Sequence, residues 1–139
     1  MSSPNVKSVV VVDDEQSYTD LLAQLLGENL TCPVHTFTRP LAALEALPLL
    51  DVGMIVTDYY MPQLNGIEFL HRARKLCPDV PFVMITGHMM ELEADDYHEE
   101  VALKAVLAKP FSWRKLADEI IRHWPDPQPP VPRLGAASF

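Results

Sequence analysis

A chain of 139 residues with 48% hydrophobic side chains has the size and composition of one globular domain with a core of its own. Eleven Lys and Arg against nineteen Asp and Glu give a formal charge of -8, which disfavours nucleic acid, whose phosphates call for a basic surface. No apolar run reaches the length of a membrane span, the first residues (MSSPNVK) lack the apolar stretch of a secretion signal, and Cys32 and Cys77 form no CxxC pair, so a cytoplasmic location away from any membrane is expected.

The stretch KSVVVVDDEQS, Lys7 to Ser17, opens the ordered part of the chain. Val9 to Val12 do not alternate with polar residues, so they read as a strand covered on both faces, as in parallel sheets. Asp13 and Asp14 then stand at its carboxyl end, where open α/β sheets bind their ligands. One acid there serves to cap the helix that begins near Glu15, whereas a second adds repulsion. Tyr18, Leu21, Leu22, Leu25 and Leu26 recur at helical spacing as far as Asn29. PVHTF is a short strand, and TRPLAALEAL a helix with Pro40 in its first turn and Leu41, Leu44 and Leu47 on one face. VGMIVTD is another buried strand, and it too ends in an acid, Asp58. YYMPQLNG is loop. Asn65 and Glu68 have capping-box spacing for a helix that carries Ile67, Leu70 and Ala73. PFVMIT is a strand ending at Thr86, and the acid-rich MMELEADDYHEEVAL is expected to be helical. AVLA is the last strand, ahead of Lys109-Pro110, and Ser112 caps a final helix with Leu116, Ile120 and Trp124 at i, i+4 and i+8.

Five strands alternating with five helices predict an α/β fold, a parallel sheet with helices on both faces. That domain spans residues 1–124. Residues 125–139, PDPQPPVPRLGAASF, are rich in proline and without apolar periodicity, and are expected to form an extended or disordered tail.

In a parallel sheet the carboxyl ends of all strands share one edge. Asp13, Asp14, Asp58, Thr86 and Lys109 are thereby brought together from distant parts of the chain. Carboxylates in close quarters raise one another's pKa unless a cation relieves them, and the natural cation for an all-oxygen set is Mg²⁺. A hydroxyl and an ammonium at the same edge complete the equipment for handling a phosphoryl group. His88, two residues after Thr86, is expected at the mouth of such a site, while the other histidines show no metal-ligand spacing.

The acid pair in VVDDE, the TDYYMPQLNG loop, the MITG strand end and KPF stand in the order and spacing found in the response-regulator receiver domain of two-component signalling, which the chain resembles from about Val6 to Trp124. The resemblance implies a doubly wound, flavodoxin-like (βα)5 fold with strand order 2-1-3-4-5. It implies that Asp58 accepts a phosphoryl group from the phosphohistidine of a histidine kinase or phosphotransfer protein. It also implies that Asp14, Asp58 and the backbone carbonyl of Tyr60 bind Mg²⁺, with Asp13 acting mainly through water. Thr86 and Lys109 would contact the phosphoryl oxygens, and Tyr60 and His88 would modulate access of water. The Lys109-Pro110 bond is expected to be cis. A downstream protein, not identified by the sequence, would read the phosphorylated state.

Two positions depart from the family's usual pattern. Val106, three before Lys109, stands where many receivers carry Tyr or Phe, and Ala102 replaces a common glycine. Readout is therefore expected from backbone shifts in Gly87 to Met90 rather than from a ring at position 106. The rival to a phosphorylated switch is a receiver-like module that binds its partner without phosphorylation, but the intact acids, Thr86 and Lys109 speak against it. An enzyme is disfavoured: no second Asp follows Asp13 two places on, and the acids after the first strand would repel a nucleotide phosphate. The only reaction expected is the domain's own phosphorylation and dephosphorylation.

Overall fold

The computed structural model describes residues 7–95, 97–125 and 129–130. The valines that open the sequence form β1 (Ser8–Val12), and all four are fully buried because they serve two cores in alternation. Val9 and Val11 pack with Leu22 and Leu26 of α1 (Gln16–Asn29) and with Leu116 and Ile120 of α5 (Trp113–Arg122). Val10 and Val12 face the other way, onto Phe69 and Leu70 of α3 (Gly66–Leu76) and onto Ala43 of α2 (Pro40–Ala46). An unbroken β-branched run is the pattern a strand needs when each face is covered by helices.

The other strands are β2 (Val34–Phe37), β3 (Val52–Asp58), β4 (Phe82–Thr86) and β5 (Leu103–Ala108). All pairs are parallel, in the order β2-β1-β3-β4-β5, as expected. The order reverses direction at β1, between β2 and β3. That reversal opens a crevice outside the carboxyl ends of β1 and β3, where doubly wound sheets place their ligands.

Local signals act as the residue types suggest. Asn65 and Glu68 close a full capping box, each side chain accepting from the other's backbone N–H, and Ser112 Oγ accepts from the Arg114 N–H to start α5. Trp124 packs on the first core, and its ring lies where a side chain on Gly53 would be, 2.5 Å from an ideal Cβ, so this glycine is what lets the Trp124 ring close over β3. Of the expected tail at 125–139, Pro125 is exposed and Pro130 buried, and the rest lies outside the described residues apart from Pro129. Cys32 is buried and Cys77 half-buried, and no disulfide joins them.

Two expectations are corrected. The inward face of α2 is Pro40 and Ala43, continued by Leu47 in a short 3-10 helix (Leu47–Leu49), while Leu41 is exposed. Of the three leucines expected on one face, Leu47 is buried and Leu44 packs against the second core, so Leu41 alone turns outward. Among the described residues, the acid-rich segment after β4 is helical only as α4 (Met89–Glu93), with Leu92 its one buried residue, and the described residues from there to β5 are not helical. Glu91 and Asp95, like Asp95 and Glu99, are four apart, so continued helix would stack like charges without a second apolar anchor.

Candidate functional site

The carboxyl edge of the sheet gathers the expected residues. Asp13 follows β1 and is fully buried; its Oδ1 accepts from the Glu15 N–H at 3.0 Å and its Oδ2 from Lys109 Nζ at 2.8 Å. The local turn and the long-range ion pair thus use different oxygens of one carboxylate. Asp58 ends β3 and is 5% exposed, with Lys109 Nζ 3.6 Å from its Oδ2. Asp14 is exposed beside them, and Asp13, Asp14 and Asp58 each offer an oxygen within 4.8 Å of the others. The Lys109-Pro110 bond is cis, and the Lys109 N–H donates to the Thr86 carbonyl at 2.7 Å, which fixes the base of the lysine side chain to the end of β4.

An open cleft of about 260 Å³ fronts this cluster, lined by Asp14, Glu15, Asp58, Tyr60, Gly87, His88 and Lys109. Asp13 and Thr86 stand behind it, both fully buried. Thr86 Oγ1 accepts from the His88 N–H at 2.7 Å, so in this state the hydroxyl holds the β4–α4 turn instead of facing the cleft. Tyr60 and His88 flank the opening with rings stacked 4.3 Å apart at 23°, and His88 Nδ1 lies 3.1 Å from Glu91 Oε2.

The charges leave a definite imbalance. Burial, then the charge of Asp13, pushes the Asp58 carboxyl up from 3.8 to about 6, although Lys109 pulls the other way. Burial works against the Lys109 ammonium, but its hydrogen bond to Asp13 and the charges of Asp58 and Glu15 outweigh it and raise its pKa. One ammonium therefore serves a cluster of carboxylates and does not fully relieve Asp58. An all-oxygen, over-acidic cluster opening on a cleft fits a hard divalent cation, which would sit among Asp13, Asp14 and Asp58.

Gly66 opens α3 directly under this site. A Cβ there would fall 2.7 Å from the Asp58 carbonyl oxygen and 2.9 Å from Tyr59 Cα, both backbone atoms, while the Gly66 N–H donates to the Tyr59 carbonyl at 2.7 Å. Gly66→Ala should therefore cost about 1–3 kcal/mol by forcing the loop away from β3. Urea unfolding of the two proteins measures it, and an unchanged midpoint would mean that the loop retreats freely.

The family model of the response regulator receiver domain matches residues 9–121. The chain belongs to that family. The receiver is 30% identical over 115 residues to the response regulator receiver protein CpdR of Brucella abortus, over 83% of this chain and 94% of the relative. It is 35% identical over 100 residues to the transcriptional regulatory protein FixJ of Bradyrhizobium diazoefficiens, over 66% of this chain but 48% of that protein, so it spans about half of that relative. Chemotaxis protein CheY4 of Vibrio cholerae shares the fold, with a TM-score of 0.73 at 23% identity over 85% of this chain and 98% of the other. This receiver accordingly belongs to phosphorelay signal transduction.

All seven positions singled out from the sequence (Asp13, Asp14, Asp58, Tyr60, Thr86, His88 and Lys109) lie at or immediately behind the cleft. Three residues at the site went unread. Glu15 lines the cleft 4.0 Å from Lys109 Nζ. Tyr18, counted with the apolar face of α1, lies under Lys109 Nζ, 4.3 Å from ring centroid to nitrogen. Burial and the charges of Asp13, Asp58 and Glu15 push its hydroxyl up to about 12, which keeps the ring neutral beneath the ammonium. Tyr59 is the third.

Proposed function

We propose that Asp58 is the phosphoacceptor of this receiver and that it takes the phosphoryl group from the phosphohistidine of a histidine kinase or phosphotransfer protein. One observation carries the reading: a nearly buried carboxylate at the end of β3 lies 3.6 Å from Lys109 and opens on a cleft it shares with Asp14. A carboxylate oxygen of Asp58 attacks phosphorus as the P–N bond of the donor breaks, and the donor imidazole leaves with the electron pair. Lys109 neutralises charge on the transferring oxygens, and it is already held in place by Asp13. Thr86 Oγ1 accepts from the His88 N–H with a lone pair and keeps its own O–H to donate to those oxygens, so the same hydroxyl would link the phosphoryl group to the β4–α4 turn.

Mg²⁺ would be held by Asp14, Asp58 and the Tyr60 carbonyl, with Asp13 acting through water, and it supplies the positive charge that lets an anionic donor approach this acidic edge. Tyr60 and His88 screen the cleft and so bear on how fast water reaches the acyl phosphate. The reading places the protein in the cytoplasm, where ATP-dependent kinases charge the donor, and has an unidentified protein as the downstream partner.

The test is incubation with acetyl phosphate, followed by mapping of the modified residue. Label should fall on Asp58, disappear in Asp58→Asn, and drop about a hundredfold when EDTA removes divalent metal. Equal labelling of wild type and Asp58→Asn would sink the assignment and favour a module that binds its partner without phosphorylation.

A further inference from the structure

Position 106 holds valine, yet the cluster it packs against is not without an aromatic. Tyr59, the residue immediately after Asp58, brings its ring into that cluster from just past β3, beside Ile67, Met84 and Leu92. It is 6% exposed. Its hydroxyl donates to Asp95 Oδ2 at 2.8 Å, two residues past α4, and lies 3.3 Å from the Glu91 carbonyl within that helix. Asp95 Oδ2 also accepts from Asn65 Nδ2 at 3.3 Å, so the same carboxylate ties α4 to the cap of α3.

This tie matters because so little else holds α4. The helix has five residues, its only buried side chain is Leu92, and no side-chain hydrogen bond caps its start. Short elements with few buried contacts open at low free energy, and a single charge-assisted hydrogen bond is then a large part of what keeps them closed. The backbone of Tyr59 is fixed on the other side: its N–H donates to the Ile85 carbonyl at 3.0 Å and its carbonyl accepts from Gly66. A shift at Asp58 thus has a short route into α4 through one residue.

We infer that Tyr59 is the positioning residue through which the state of Asp58 reaches α4, its hydroxyl latching the helix at Asp95 and the latch opposing the activated arrangement. The phosphorylation half of this rests on the function proposed above; the latch itself does not. A ligand shifts such an equilibrium only by its differential affinity for the two states, so weakening the latch must raise affinity for whatever favours the open one.

Tyr59→Phe keeps the ring in the cluster and removes only the hydroxyl. In protein without ligand, hydrogen exchange at Met89–Asp95 should rise about tenfold, with β1 and β3 unchanged. With Mg²⁺ present, beryllofluoride, a phosphoryl analogue, should bind Tyr59→Phe tighter by a similar factor. A residue that only supports packing would loosen the whole domain and would not tighten that binding. Asp95→Ala removes the acceptor and should reproduce both effects, and the double variant should add little to either single one. Unchanged exchange at Met89–Asp95 in Tyr59→Phe overturns the latch. Raised exchange with unchanged beryllofluoride affinity overturns its link to Asp58. If wild type neither binds beryllofluoride nor labels at Asp58, the phosphoacceptor reading fails and the coupling falls with it, while the ligand-free exchange still decides the latch.

Discussion

Replacing Lys109 with methionine should lower the unfolding free energy by about 3 kcal/mol in metal-free protein. Lys109 Nζ sits 2.8 Å from Asp13, whose side chain has no exposure at all, and 3.6 Å from Asp58, which has 7%. Methionine keeps most of the stem and its packing against Tyr18 but withdraws the charge, leaving a buried carboxylate with only the Glu15 N–H as partner. Removing one member of a buried ion pair costs far more than the pair contributes, because the survivor keeps its desolvation penalty. The same reasoning makes Asp13→Asn combined with Lys109→Met much milder than Lys109→Met alone. Guanidinium unfolding in EDTA of wild type, the single variants and the double variant measures this. A loss under about 1 kcal/mol for Lys109→Met would mean that water reaches Asp13 and solvates it. Added Mg²⁺ should restore part of the loss, since a cation that binds only the folded state stabilises it by mass action.

The sheet and the acid cluster were legible because each rests on a rule with few competitors. Four consecutive valines fit a strand covered on both faces, and once the strands are parallel, Asp13, Asp58, Thr86 and Lys109 must share an edge wherever they lie in the chain. The direction in which each side chain turns at that edge was not legible. Thr86 could have faced the cleft or the turn behind it, and the structure shows it on the His88 N–H. Tyr18 satisfies the helical apolar pattern equally well whether its face meets leucine or an ammonium.

The length of α4 was beyond the sequence for a related reason. Helical periodicity around Leu92 is real, but whether the following acids continue the helix depends on what captures them. Asp95 is captured by Tyr59, just after β3, and by Asn65, the cap of α3, which lie 36 and 30 residues away in sequence. A tertiary hydrogen bond of this kind overrides local propensity, and it also ties the hydroxyl of Tyr59, the residue after Asp58, to the segment that follows α4.

Asp58→Asn should abolish phosphorylation and at the same time make the metal-free protein more stable. The carboxyl of Asp58 is raised from 3.8 to about 6, first by burial and then by the charge of Asp13. Above about pH 6 the group is ionised in both folded and unfolded chains, and folding bears the full cost of burying the charge. Between 6 and 3.8 the folded protein takes up a proton that the unfolded chain does not yet hold, so the cost shrinks as pH falls. Below 3.8 both states are protonated and the cost is gone. The gap corresponds to roughly 3 kcal/mol at most, and water in the open cleft reduces it, so a gain of about 2 kcal/mol is expected for Asp58→Asn at pH 7.5. Asparagine keeps the shape of the side chain, so little of the difference comes from packing. Urea midpoints in EDTA at pH 7.5 and pH 4.5 separate the causes: the advantage of Asp58→Asn should be largest at the higher pH and mostly lost at the lower. An equal advantage at both would assign the gain to something other than the buried charge. Saturating Mg²⁺ at pH 7.5 should also narrow the gap, because wild type then has a cation to answer the charge that Asp58→Asn lacks. The cost at Asp58 then goes with the phosphoacceptor role proposed for it, since this costly carboxylate opens on the cleft beside Lys109.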